Sequence, residues 1–211
     1  MSGGVDSSVA AALLVKQGYQ VIGMMLRLWS EPGSECENRC CTPDAMAQAR
    51  RVAALLDIPF YAIDAKQIFR ETVVQNFIDG YTQGITPNPC LVCNRQIRWH
   101  FLLQHARALG ADYMATGHYA RLQWDEHQHT QLLRGIDSHK DQSYVLHVLD
   151  QKQISQAMFP LGEFTKPQVR QMAHEFGLPV AERADSQDLC FLGNNSYQEF
   201  LKRYAPQTQT P

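Results

Sequence analysis

The chain has 211 residues, a formal net charge of −2 and a sequence pI near 6.4. Apolar residues make up 45 % of it and charged residues 19 %, which excludes a disordered tail, a collagen-like repeat and a highly charged coil. No apolar run approaches the roughly 18 residues that cross a bilayer, and the opening MSGGVDSS lacks the basic and apolar regions of a secretory signal. We therefore expect a cytoplasmic protein with no membrane partner, made of one domain or slightly more.

The spacing of apolar residues predicts helices and short strands in alternation. Helices are predicted at Ser7–Gln17, Asp44–Asp57, Ile68–Ile78, Asn94–Leu109 and Pro167–Phe176, with a short helical segment at Tyr144–Leu149. Strands are predicted at Tyr19–Trp29, Pro59–Asp64 and Tyr113–Thr116, and a shorter one at 132–135. This alternation is typical of an α/β fold in which a parallel sheet carries helices on both faces.

The first predicted helix follows a loop rich in glycine and serine, Ser2-Gly3-Gly4-Val5-Asp6-Ser7-Ser8. Glycines let the backbone approach a ligand closely, and a helix N-terminus offers unpaired N–H groups to an anion. The sequence is neither a Walker A loop nor a GxGxxG motif. We predict that Ser2, Gly3, Gly4, Val5, Asp6, Ser7 and Ser8 cradle a pyrophosphate; the simpler alternative is a turn capped by Asp6 and Ser7.

A locally basic stretch lies between Asp79 and Asp112, where three arginines occur and no acidic residue does. Such a face is able to bind phosphate even in an acidic chain, although a solvated helix face is the simpler interpretation. Two cysteines in Asn88-Pro89-Cys90-Leu91-Val92-Cys93-Asn94 precede its arginines. We expect Asn94 to open a helix there, so that the helix dipole and the arginines lower a thiol pKa.

The six cysteines stand at positions 36, 40, 41, 90, 93 and 190. Three interpretations of the CxxC remain open: half of a zinc site completed by Cys36, Cys40 or Cys41, a redox pair, or one reactive cysteine beside an incidental one. The isolated Cys190, in Asp185-Ser186-Gln187-Asp188-Leu189-Cys190-Phe191, is by itself most simply a buried core thiol.

SGGVDSS resembles the PP-loop of the N-type ATP pyrophosphatases, which adenylate a substrate oxygen and release pyrophosphate. Together with NPCLVCN, ATGHYARL, DSHKDQSYVLHVL and the segment around Cys190, in this order, it makes the chain resemble the tRNA-specific 2-thiouridylases (MnmA/TrmU family) from Met1 to about Tyr204. The resemblance implies an adenine nucleotide alpha hydrolase-like fold. Its first strand, which precedes the loop in those proteins, is expected to be missing here.

The resemblance also implies a reaction, in which ATP and Mg²⁺ adenylate the O2 of a tRNA wobble uridine and a persulfide sulfur then replaces it at C2. Cys190 would accept the sulfur from a donor protein, and Cys93 would release it, leaving a Cys93–Cys190 disulfide. Leu26 and Gly117 would help the PP-loop to hold ATP. The positions expected near the uridine or the tRNA are Asn88, Pro89, Cys90, His118, Lys140, Asp141 and Gln142.

The resemblance divides the chain into an adenylating domain at 1–165 and a helical extension at 166–211, where a truncated central domain would begin. No metal ligand is assigned among these residues, and Cys36, Cys40 and Cys41 have no role in the sulfur scheme. Two alternatives stand beside this interpretation. One is a PP-loop ligase that adenylates a carboxylate and adds ammonia, and the other is an inactive fragment that binds a metal or tRNA.

Overall fold

The computed structural model describes residues 1–31, 42–184, 189–192 and 196–206. Cys36, Cys40 and Cys41 lie outside these ranges, as does most of the segment that precedes Cys190. The zinc interpretation that involves those three cysteines is therefore outside the described residues.

The first half of the chain alternates as predicted. Its elements are α1 (Val5–Lys16), β1 (Gly23–Arg27), α2 (Pro43–Leu55) and β2 (Phe60–Asp64). Strands β1 and β2 pair in parallel, with Gly23 opposite Phe60 and Arg27 opposite Asp64. The predicted strand at Tyr19–Trp29 is thus shorter than expected, because its first four residues connect α1 to the sheet.

Two longer helices follow, and each contains a π-helical stretch, in which backbone hydrogen bonds run from i to i+5. Helix α3 comprises Lys66–Phe69, the π-helical Arg70–Val74 and Gln75–Thr82. Helix α4 comprises Pro89–Val92, the π-helical Cys93–Leu102 and Leu103–Ala108. The expectation that Asn94 opens this helix is wrong. Asn88 caps it by accepting a hydrogen bond from the Cys90 amide, and Pro89 occupies the first turn, where a missing N–H costs nothing.

The second half mixes parallel and antiparallel pairs. Strand β3 (Met114–Ala115) pairs in parallel with β6 (Ala157–Met158), and β4 (Ala120–Trp124) forms an antiparallel hairpin with β5 (Thr130–Arg134). The sequence analysis did not predict β4 or β6. Strand β4 begins inside the ATGHYARL motif, which was interpreted as a functional segment, and β6 has only two residues. The predicted helix at Tyr144–Leu149 reduces to a 3₁₀ turn at Ser143–Val145.

Three short helices complete the described chain: α5 (Gln151–Ile154), α6 (Lys166–Glu175) and α7 (Tyr197–Tyr204). Helix α6 matches its prediction within one residue at each end. No helix in the described ranges is long and apolar enough to span a bilayer.

Two apolar cores organise the molecule around the site. The loop-side core includes Val5 and Val9 of α1, Tyr119, and Val169 and Leu178 from the α6 region. The cysteine-side core includes Phe69, Phe77, Cys93, Phe191 and Phe200. Residues from beyond position 165 enter both cores, while the domain boundary at 165 stays a prediction.

Candidate active site

The N-terminus of α1 forms the floor of the site. Gly4 is its N-cap residue and supplies no side-chain cap, so side chains leave the first-turn N–H groups uncovered. Just before the helix, the Ser2 amide donates to the Ser7 hydroxyl at 3.0 Å, and the Ser8 hydroxyl donates to the Gly4 carbonyl at 2.8 Å. A 12-residue helix with an uncapped N-terminus fits a phosphate group, which the backbone N–H groups and the dipole both favour.

Gly3 holds the loop against the start of α2. Its φ is +72°, and an added Cβ would lie 2.3 Å from the carbonyl oxygen of Ala45. Arg183 donates to the Gly3 carbonyl at 3.1 Å and pairs with Asp44, at the start of α2, at 3.2 Å. The loop conformation therefore depends on glycine and on a contact from a residue 180 positions away.

Asp6, in the first turn of α1, is bonded to two side chains from distant parts of the sequence. Tyr119 donates to its Oδ1 at 2.8 Å, and Lys166 Nζ lies 2.7 Å from Oδ1 and 2.8 Å from Oδ2. Gly117 packs close by, since an added Cβ would lie 2.9 Å from the Asp6 carbonyl carbon and the Ser7 nitrogen. The ATGH segment therefore lies directly against the PP-loop, and the assignment of Gly117 to nucleotide binding stays a prediction.

The two cysteines of the predicted sulfur chemistry, 97 positions apart in sequence, belong to one apolar region. Cys93 is buried within the cysteine-side core, and the half-buried Cys190 packs against that core. Leu26, at the carboxyl half of β1, packs against the same core. The fold thus brings to one core a predicted nucleotide contact, the predicted persulfide carrier Cys190 and the predicted resolving cysteine Cys93.

Cys90 differs from Cys93 in its surroundings. The residue is exposed overall, yet partial burial around the thiol raises its pKa, and the charge of Arg98 offsets this only in part. The expected lowering of a thiol pKa by the helix and the arginines is therefore wrong for Cys90. Desolvation of the thiolate outweighs the attraction of a single guanidinium.

His118 follows Gly117 in the ATGH segment and lies close enough to Arg98 to feel its charge. Burial, with a smaller contribution from the charge of Arg98, lowers its pKa to about 3. Its Nδ1 is 2.8 Å from the Thr116 hydroxyl, and its ring meets Phe159 edge to face at 6.2 Å. The imidazole is neutral at physiological pH, so it can exchange hydrogen bonds with a base but cannot pair as a cation with a phosphate.

A pH series should expose this buried neutral imidazole. Because the unfolded chain protonates His118 near 6.5 and the folded chain only near 3, the free energy of unfolding should fall as the pH is lowered through that window. We expect wild type to lose stability faster than His118→Asn, by at most about 1.4 kcal/mol per pH unit. Urea denaturation between these pH values measures the difference, and parallel curves for the two proteins would contradict it.

Lys140, Asp141 and Gln142 lie beside the β4–β5 hairpin. Burial acts to raise the pKa of Asp141, but hydrogen bonds from the Gly135 amide and from Ser143 outweigh it and hold that pKa below its usual value. Gln142 is bonded twice to Tyr119, through its amide to the Tyr119 carbonyl at 2.9 Å and through its side-chain oxygen to the Tyr119 amide at 3.2 Å. Since Tyr119 also holds Asp6, the segment predicted to lie near tRNA is joined to the PP-loop through one tyrosine.

A shallow groove lies on the outer side of Asn88. Asp79, Gln83 and Pro87 line it together with Asn88, whereas Cys90 does not. Pro89 is buried beneath the helix start. The three residues predicted to lie near the uridine, Asn88, Pro89 and Cys90, are therefore consecutive in sequence but differ in exposure, and of the exposed two only Asn88 lines the groove. Within the described residues, no group of three His, Cys, Asp or Glu side chains is arranged to hold a metal ion.

Comparison with known proteins assigns this site to a family. The model of the tRNA methyl transferase HUP domain matches residues 1–194. The chain belongs to this family. Matching curated proteins include the "tRNA-specific 2-thiouridylase MnmA" of Chloroflexus aggregans, 50 % identical over all of this chain and 59 % of the relative, and that of Moorella thermoacetica, 48 % identical over all of this chain and 60 % of the relative. The chain therefore spans about three-fifths of the length of these relatives.

A solved structure, the NMN synthetase of Francisella tularensis, shares the fold with a TM-score of 0.50 at 18 % identity, covering 100 % of this chain and 76 % of that one. The predicted α/β, PP-loop-like fold class and the recognition of the family are thereby confirmed. The roles of the individual site residues stay predictions.

Sequence reasoning missed three side chains that shape this HUP-domain site: Tyr119, Lys166 and Arg183. Tyr119 stands in a motif that was already singled out, ATGHYARL, so its neighbourhood was a signal. Lys166 stands directly before the predicted helix at Pro167–Phe176 and carried no other signal, and Arg183 carried no local signal. All three reach the loop from more than 110 positions away, which no spacing rule detects.

Proposed function

We propose that this chain is the adenylating part of a tRNA-uridine 2-sulfurtransferase, which activates the O2 of a wobble uridine with ATP and replaces that oxygen with a persulfide sulfur. The observation that carries the proposal is the coexistence of an uncapped helix N-terminus at the PP-loop with two cysteines, far apart in sequence, at one apolar core. The 2-thiouridylase names of relatives at about 50 % identity support it.

In the adenylation step, the uridine O2 attacks the α-phosphorus of ATP and pyrophosphate leaves. The residues of the loop, from Ser2 to Ser8, bind the phosphates through backbone N–H groups and hydroxyls, and Leu26 and Gly117 bound the nucleotide. Asp6 is the carboxylate that would hold Mg²⁺, and the ion would neutralise part of the phosphate charge. The step converts O2 from a poor leaving group into part of AMP.

In the sulfur step, the terminal sulfur of a persulfide on Cys190 attacks C2 and AMP leaves. The Cys93 thiolate then attacks Sγ of Cys190, the bond from that sulfur to the transferred sulfur breaks, and the electron pair stays with the thiocarbonyl. The products are 2-thiouridine and a Cys93–Cys190 disulfide, which a dithiol reductant returns to two thiols. An apolar setting suits this exchange because it keeps water from the activated uridine.

The uridine reaches this chemistry only if it leaves the anticodon stack. Asn88, Pro89 and Cys90 would lie along one side of the flipped base and the neutral His118 along another, while Lys140, Asp141 and Gln142 would contact the tRNA near the PP-loop. The partners are thus a tRNA and a persulfide-donating protein, and the reaction takes place in the cytoplasm.

Mass spectrometry of nucleosides tests the proposal most directly. Unmodified tRNA is incubated with the full-length protein, ATP, Mg²⁺ and a persulfide source, then digested. We expect 2-thiouridine that depends on ATP, with one pyrophosphate released per thiolation. A methylated nucleoside, which the name of the tRNA methyl transferase HUP domain would suggest, has a different mass. Its appearance, or incorporation of ammonia with no thiolation, would overturn the proposal.

A further inference from the structure

An ion pair between a buried lysine and a half-buried aspartate lies at the PP-loop. Lys166 is only 8 % exposed, and its ammonium lies within hydrogen-bond distance of both carboxylate oxygens of Asp6, at 2.7 and 2.8 Å. The same ammonium stands 6.0 Å from the centre of the Tyr119 ring. Tyr119 donates a further hydrogen bond to Oδ1 of Asp6, so this carboxylate is held from two sides.

The start of α6 is held without the Lys166 side chain. The Lys166 amide donates to Asp137 Oδ2 at 2.8 Å, and the Thr165 amide donates to the Gln168 side chain at 2.8 Å. Val169 and Ala173 of the same helix are fully buried in the loop-side core. An ion pair whose lysine is buried is a weak source of stability, because the desolvation of the ammonium offsets much of the attraction. An apolar side chain at 166 would serve the packing equally well, so the charge calls for another explanation.

The location of the pair suggests that explanation. Asp6 lies in the first turn of α1, at the floor where the phosphates would bind, and it is the loop's one carboxylate. While the ammonium bonds both oxygens, a divalent cation has to compete with it for them. A cation that binds the Asp6 carboxylate would therefore displace the Lys166 ammonium. The displaced ammonium would lie beside the predicted phosphate site, where the phosphate oxygens would attract it.

We propose that Lys166 is a reserve counter-ion of the phosphate site: it neutralises Asp6 in the absence of a divalent cation and, when the cation displaces it, turns to the nucleotide phosphates. This inference rests on the ATP site of the proposed function. It makes cation binding and phosphate binding support each other, since entry of the cation supplies the charge that the phosphates need.

Lys166→Met tests this by two effects of opposite sign. Mn²⁺ alone, followed by electron paramagnetic resonance of the free ion, should bind the full-length variant roughly tenfold more tightly than wild type, because a competitor for Asp6 is gone. The Mn²⁺ complex of α,β-methylene-ATP, followed by calorimetry, should bind roughly tenfold more weakly, because the phosphates lose a charge. Lys166→Arg should restore tight binding of the complex.

Arg203→Met is the matched control. It removes an arginine partner of a buried carboxylate, Glu31, which Arg203 meets at 2.7 Å on the cysteine side of the molecule. It should lower stability without changing either binding constant. The inference fails if Lys166→Met leaves the affinity for Mn²⁺ unchanged, or if it shifts the affinities for Mn²⁺ and for the nucleotide complex in the same direction. Lys166 would then have only a structural role. Neither binding measurement needs tRNA or sulfur. If wild type formed no 2-thiouridine, that result would overturn the proposed function and leave the inference about Lys166 to be decided by the binding data.

Discussion

Replacing Cys190 by serine should abolish the formation of 2-thiouridine and leave pyrophosphate release intact. A serine hydroxyl cannot carry a persulfide, whereas uridine O2 can still be adenylated, because the PP-loop contacts lie on the loop-side core. We expect thiolation to fall below about one-hundredth of the wild-type rate. Nucleoside mass spectrometry measures the first quantity, and a pyrophosphate assay on the same samples measures the second.

Cys93→Ser separates the two thiols. Because Cys93 is assigned to the release of sulfur, its serine variant should accept a persulfide on Cys190, detectable by mass spectrometry of the protein, and should not turn over. Cys36→Ser is the control, since no role is assigned to that cysteine, and it should thiolate at the wild-type rate. Full thiolation by Cys190→Ser, or normal turnover by Cys93→Ser, would remove the corresponding residue from the scheme.

Gly3→Ala should be among the most damaging single-methyl changes in the chain. The new Cβ would meet the Ala45 carbonyl oxygen at 2.3 Å, and the φ of +72° is unfavourable for alanine. The obstacle is backbone at the start of α2, which cannot swing away as a side chain can. We expect a loss of about 2–5 kcal/mol in the free energy of unfolding, from the backbone conformation and overpacking together, and loss of nucleotide binding.

Gly18→Ala separates the cost of the positive φ angle from the cost of a steric clash. Gly18 has a similar φ of +87°, at the end of α1, but nothing lies within 4 Å of its added Cβ. This variant should therefore lose only about 1–2 kcal/mol in urea denaturation and should keep nucleotide binding in a titration with α,β-methylene-ATP. Equal losses in the two variants would show that the contact with Ala45 does not constrain the loop.

The elements that sequence predicted well are those whose signal is local. Helix α6 begins with Thr165, Lys166 and Pro167, a start that capping and proline chemistry specify within four residues. Helix α1 follows the glycine-rich loop for a similar reason. Strand β6 was missed because two residues carry no period, and the start of α4 was misplaced because Asn88, rather than Asn94, supplies the capping oxygen.

By itself, the sequence determined the alternation of helices and strands, the glycine-rich loop before α1, and the presence of two separated cysteine motifs whose pattern indicates the family. These features depend on residues close together in the chain, where backbone preference and side-chain spacing act directly. Only the tertiary structure decided that Cys93 and Cys190 share one apolar core and that Lys166 and Tyr119 hold Asp6. Those contacts come from packing helices that are far apart in sequence, and spacing along the chain carries no information about which faces will meet.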